Sequence, residues 1–126
     1  MRDDHPLVEQ EKITPEEIAD YPLILPLRER VRNEILHWIN REEKDLNIPL
    51  SYTLLSNAAL LVEAGLGCAF CLDGALAIHS SPRLRFVPIY PEHTTRSVLA
   101  WKKNQLFSPA TSLFIQEINM LRAHMQ

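Results

Sequence analysis

Short runs of strand-forming residues, separated by stretches of helical periodicity, constrain the fold of this chain more than any other feature. Leu23-Ile24-Leu25 is a compact apolar run closed by Pro26, the pattern of a buried strand. Ile48–Leu55 is rich in strand formers, with Pro49 near its beginning, where a missing ladder donor is tolerated. Cys68-Ala69-Phe70-Cys71-Leu72 is a third buried run. Leu84–Ile89 alternates only in part, and Pro88 assigns it to an edge or an end. Arg96–Lys103 reads as one more strand with a soluble end.

Helices fill the intervals. Thr14 is placed to cap one, Pro15 suits its first position, and Glu17 completes a capping box before Tyr21-Pro22 stops it. From Arg28 to about Asp45, Val31, Ile35, Trp38 and Ile39 recur at helical spacing among charged residues. Ser56-Asn57 offers two caps ahead of the helical run Ala58–Ala64, and Gly65 stands where a left-handed terminator is expected. Asp73-Gly74 starts a short helix through Ile78. Ser108-Pro109 opens a final amphipathic helix with Ala110, Leu113, Phe114, Ile118 and Leu121 on one stripe. The predicted order is helix, strand, helix, strand, helix, strand, short helix, strand, strand, helix. Such alternation implies right-handed crossovers and a mainly parallel sheet flanked by helices, an α/β fold.

Composition narrows the function classes. At 126 residues, 46 % of them hydrophobic, the chain suits one domain with a real core. The net charge is −3 with both signs interspersed, so the basic patch that non-specific nucleic-acid binding needs is missing. Apolar runs such as Ala58–Val62 are too short for a bilayer, the first residues lack an apolar signal core, and two cysteines make no disulfide scaffold. The expected compartment is the cytoplasm.

The motifs that suggest chemistry read better as structure. Gly65-Leu66-Gly67 superficially suggests a dinucleotide loop, but it follows a helix and precedes a strand, and the third glycine position is Phe70. Cys68-x-x-Cys71 lies in a strand run, where residues three apart point to opposite faces, and no second pair completes a zinc site. His5, His37, His79, His93 and His124 are scattered without metal-ligand spacing, and His79-Ser80-Ser81 lacks the elbow of a serine hydrolase. Acid pairs such as Asp3-Asp4 and Glu42-Glu43 fit solubility and capping. No catalytic residue, metal ligand or cofactor is expected.

What remains is a site argued from architecture. In open α/β sheets ligands sit beyond the carboxyl ends of the strands, against helix N-termini. Those ends are Pro26-Leu27-Arg28, Ser56-Asn57, and Leu72-Asp73, with Phe70 leading into the last. Arg28 suits a carboxylate, and the Ser56 and Asn57 amides suit an anion; a solvated Arg28 and simple capping by Ser56 are the plainer alternatives.

The segment Ser56–Phe70, a helix ending in Val62-x-Ala64-Gly65-x-Gly67 that feeds a buried strand, resembles the corresponding stretch of LysR-type transcriptional regulators. Asp4-His5-Pro6-Leu7 resembles the family's hinge entry, Ala19–Ile24 its short helix and strand, and Ser108-Pro109-Ala110 with Phe114-Ile115 its last helix. Many relatives place a proline where this sequence has Leu72, which puts the shape of that ligand edge in question. The resemblance implies an effector-binding domain similar to type II periplasmic binding proteins, with two α/β lobes around a small-molecule inducer. It implies that residues 1–8 are the first hinge segment, 9–96 the second lobe, and 97–126 the return hinge strand and C-terminal helix. DNA would then be contacted only through an N-terminal winged helix-turn-helix outside this sequence. A homo-oligomer is implied, with self-association through the last helix expected from its apolar stripe. A stand-alone binding protein or small enzyme on the same scaffold is the alternative.

Overall fold

The computed structural model describes residues 1–78, 81–95 and 98–124. It contains two compact units, Met1–Thr94 and Thr95–Gln126. In the first, helix α1 (Pro15–Ile18) leads to strand β1 (Leu23–Pro26), helix α2 (Glu29–Ile39), strand β2 (Leu50–Tyr52), helix α3 (Leu55–Glu63) and strand β3 (Cys68–Ala69). The strands form one parallel sheet in the order β2-β1-β3. Ile24 faces Leu50 on one side of β1 and Ala69 on the other.

The expected alternation of helix and strand is present because β1 is buried on both faces. Leu23 and Leu25 point into a cluster with Ile18, Ile35 and Ile39 of α1 and α2. Ile24, one residue out of phase, packs with Ala59 and Val62 of α3. The period of two along a strand thus sends alternate side chains into two layers, and an unbroken apolar run is what a central parallel strand requires.

Local signals set the boundaries. The Glu17 N–H donates to Thr14 Oγ1 at 3.2 Å while the Glu17 carboxylate accepts from the Thr14 N–H at 2.7 Å, the reciprocal box predicted for α1. Helix α2 ends earlier than the periodicity suggested. Asn40 adopts a left-handed conformation with φ 55°, and only a 3₁₀ turn, Glu43–Asp45, follows. Helix α3 closes as predicted, with Gly65 at φ 81°, its N–H bonded to the Val62 carbonyl at 2.9 Å and the Leu66 N–H to the Leu61 carbonyl at 3.1 Å. That pair of bonds is a Schellman motif.

Four sequence expectations are corrected. Ser56 and Asn57 do not cap α3: the helix starts at Leu55, Leu54 is the cap residue, and both polar residues sit inside the first turn. The third strand stops at Ala69, where its pairing with β1 ends. Leu84–Ile89 is no regular strand; it makes single bridges, Leu84 to Arg2 and Ile89 to Ile13, the latter using the Pro88 carbonyl. The strand expected over Arg96–Lys103 is absent from residues 98–103, while Arg96 and Ser97 lie outside the described residues, as does His79.

In the second unit, helix α4 (Pro109–His124) begins as expected, with the Thr111 N–H donating to Ser108 Oγ at 3.2 Å. Leu113, Phe114 and Leu121 of its stripe are exposed, as are Val98 and Trp101 before it.

Candidate functional site

The order β2-β1-β3 fixes where a ligand crevice can open. From β1 the chain leaves through α2 toward β2, and from β2 it crosses by α3 to the far side of β1. The crossovers by α2 and α3 therefore run on opposite faces of β1, and the switch point this creates between β1 and β3 is where open α/β sheets hold ligands. The switch point here lies between Leu27-Arg28 and Phe70-Leu72, two of the three strand ends singled out from sequence.

Each strand end presents an exposed leucine: Leu27 after β1 (61 % exposed), Leu54 after β2 (62 %) and Leu72 beyond β3 (60 %). The Leu27 N–H is fixed by the Tyr52 carbonyl at 2.8 Å, so β1 and β2 remain coupled to the edge. Pro26 is buried, and what it offers is its carbonyl, which accepts from Arg32 Nη1 at 3.3 Å. Arg28, the residue before α2, is exposed and makes no ion pair among the described residues. Ser56 and Asn57 are also exposed, in the first turn of α3, although the Asn57 N–H is already bonded to the Leu54 carbonyl at 3.1 Å. Phe70 is half-buried.

Two residues that the sequence reading missed hold this edge together. The Tyr52 hydroxyl donates to the Phe70 carbonyl at 3.3 Å, linking the ends of β2 and β3 across β1. Burial pushes the Tyr52 pKa up, so the hydroxyl stays protonated and able to donate. Arg32 donates to Ser51 Oγ at 3.1 Å and pairs with Glu43, whose carboxyl is held below its ordinary range chiefly by that hydrogen bond. Helical spacing marked Arg32 as surface, and nothing in the sequence shows that its side chain folds back onto the sheet.

Beside this edge lies a cavity of about 330 Å³, whose wall includes Phe70 and Leu72 together with Leu55, Val62, Leu84 and Trp38. Leu27, Arg28, Ser56 and Asn57 are not among its lining residues. Cys68 and Cys71 both line it, which corrects the expectation that they face opposite sides: β3 ends at Ala69, so strand alternation does not reach Cys71. Both thiols are free, and burial raises the pKa of each, the behaviour of packing residues rather than nucleophiles. Trp38 stacks on His93 at 4.5 Å within the same wall. Among the described residues no group of three His, Cys, Asp or Glu is placed to hold a metal ion, and no helix is long and apolar enough to cross a membrane.

A parallel three-stranded sheet with helices on both faces and a switch-point edge of exposed leucines defines an open α/β domain. The sequence matches the LysR substrate binding domain family over residues 1–122. The chain belongs to that family, whose fold is the type II periplasmic-binding-protein-like α/β architecture, and its role is effector binding in LysR-type transcription regulators. The family is one of regulators, generally non-enzymatic and typically oligomeric. No curated protein and no solved structure matches the chain.

Proposed function

We propose that the chain supplies one wall of an effector cleft, with Leu27, Arg28, Ser56, Asn57, Phe70 and Leu72 facing the small molecule and Pro26 setting the edge from behind. The observation that carries this reading is the coincidence of the switch point with exposed leucines at all three strand ends and with an Arg28 that has no ion-pair partner among the described residues. Solvent-exposed apolar groups at such an edge favour a surface that closes on a ligand, and a free guanidinium suits a carboxylate in bidentate geometry.

In this reading residues 1–8 enter the lobe as a hinge, residues 97–126 return from it, and effector binding closes this lobe against another. Closure shifts the population of regulator conformations and so alters DNA binding by a winged helix-turn-helix elsewhere in the regulator. The exposed apolar residues of α4 favour a homo-oligomer, and sedimentation showing a clean monomer at high concentration would speak against that part.

A thermal-shift screen of small carboxylates tests the cleft. A compound at about a hundred times its dissociation constant stabilises its target by roughly 2.7 kcal/mol. The stabilisation is expected to fall sharply in Arg28→Ala and to be partly retained in Arg28→Lys. Equal stabilisation of wild type and Arg28→Ala by every compound that binds would remove Arg28 from the site. A regulator carrying this domain whose DNA binding does not respond to such a compound would overturn the closure mechanism.

A further inference from the structure

The cavity beside β3 has a chemistry different from that of the leucine edge. Its inner wall is built from Ile13, Ile18, Ala59, Val62, Cys68 and Leu84, all buried. No polar or charged side chain is buried among the described residues, so nothing in that wall can solvate an ion. Transferring an ionised group there without a partner is prohibitive, and even an unpaired hydroxyl or amide costs roughly 2–7 kcal/mol. Among the lining residues, Lys12, Asp73, Arg85 and Glu92 are exposed and of both signs, and the half-buried Met1 α-ammonium already donates to the Arg85 carbonyl at 3.0 Å while burial lowers its pKa, so the mouth selects neither charge.

A stretch of strand backbone also borders this space. Among the described residues strand β3 pairs only with β1, the Cys68 N–H donating to the Pro22 carbonyl at 2.8 Å. Successive residues of a strand turn their N–H and C=O groups to opposite edges, so those of Ala69 point to the edge where β3 has no neighbour. Ala69 lines the cavity. A dry cavity of roughly 150 Å³ is enough to take benzene, and about 330 Å³ gives room for a second ring and a small polar substituent.

We infer that this cavity is a binding site for an uncharged, mainly apolar molecule of one or two rings, with one neutral hydrogen-bonding group directed at the free edge of Ala69. The site excludes Leu27, Arg28, Ser56 and Asn57 of the proposed effector edge but shares Phe70 and Leu72 with it.

The test is a titration of the chain with indole, followed through backbone amide resonances and calorimetry, beside indole-3-carboxylate as the same ring carrying a charge. Saturable binding by about 5 mM is expected, with the largest shifts at Ile13, Val62 and Ala69 and at least tenfold weaker binding of the carboxylate. Ala59→Phe, which fills the cavity, is expected to weaken indole at least tenfold. Val62→Ala keeps the question open to refutation if that variant fails to fold: its larger space is expected to turn the preference from indole toward 2-naphthol by at least threefold. Non-saturating indole, equal affinity for the carboxylate, shifts centred on Arg28 and Ser56, or an unchanged preference in Val62→Ala would each overturn the site.

Discussion

Replacing Gly67 with alanine probes the seam on which β3 depends. Gly67 has φ 157°, and a Cβ built there would lie 2.7 Å from the Pro22 carbonyl oxygen and 3.1 Å from Ile24 Cγ1. That oxygen already accepts the Cys68 N–H at 2.8 Å, so it cannot retreat without stretching the bond that seats β3 beside β1. Holding a non-glycine residue in such a backbone region costs about 1–3 kcal/mol, and weakening a partly buried hydrogen bond adds about 1 kcal/mol. The expected destabilisation is therefore about 3 kcal/mol, a large share of the roughly 5–15 kcal/mol by which domains are folded.

The other two glycines provide internal controls. At Gly65 (φ 81°) the new methyl meets Arg2 Nη1 at 2.6 Å, the far end of a flexible side chain that can swing away. At Gly74 (φ 76°) it meets nothing within 4 Å. Both alanines should then show only the left-handed backbone cost of roughly 1–2 kcal/mol. In urea, with a slope of about 1.5 kcal/mol/M, the midpoint should fall by about 2 M for Gly67→Ala and about 1 M for the others. A Gly67→Ala midpoint no lower than that of Gly74→Ala would refute the close-approach reasoning.

Three further outcomes follow from named contacts. Thr14→Ala removes the cap side chain of α1 and is expected to lower stability by about 1 kcal/mol, readable as a shift in the urea midpoint. Burial raises the pKa of Cys68 and Cys71, so both should react slowly with a thiol reagent in the folded chain and rapidly in denaturant; equal rates would show the thiols to be open. Burial lowers the pKa of His5, whose Nδ1 accepts the Leu7 N–H at 3.2 Å and whose ring meets Tyr21 at 4.5 Å. The folded state thus prefers neutral His5: its contribution is complete above the unfolded value of about 6.5 and is lost as the pH falls below that toward the folded value. Urea midpoints measured at about pH 7 and pH 5 should differ more for wild type than for His5→Gln, and identical differences would count against it.

Much of the candidate site was legible because strand ends are marked locally. Pro26 closing an apolar run, and the polar pair Ser56-Asn57 between a strand-forming run and a helical one, placed Leu27, Arg28, Ser56 and Asn57 near the edge without any tertiary information. What failed was the detail that depends on a partner. Whether Ser56 caps or merely sits in the first turn is decided by where β2 stops pairing with β1. Tyr52 and Arg32 were invisible as edge residues, since one reaches Phe70 and the other Ser51 only after the sheet has formed.

The sequence by itself determined the alternation that marks the α/β class, the buried strand at Leu23-Ile24-Leu25, the capping box at Thr14 and the helix stop at Gly65, because each depends on side chains or backbone freedom within a few residues. Only the tertiary structure decided that β3 ends at Ala69, that Leu84–Ile89 stays a bridged segment instead of a strand, and that Cys68 and Cys71 share one cavity. Strand length is a property of the ladder, and a ladder needs a neighbour. Beyond Ala69 no neighbour among the described residues extends β3, and the chain passes into the cavity wall at Phe70, Cys71 and Leu72.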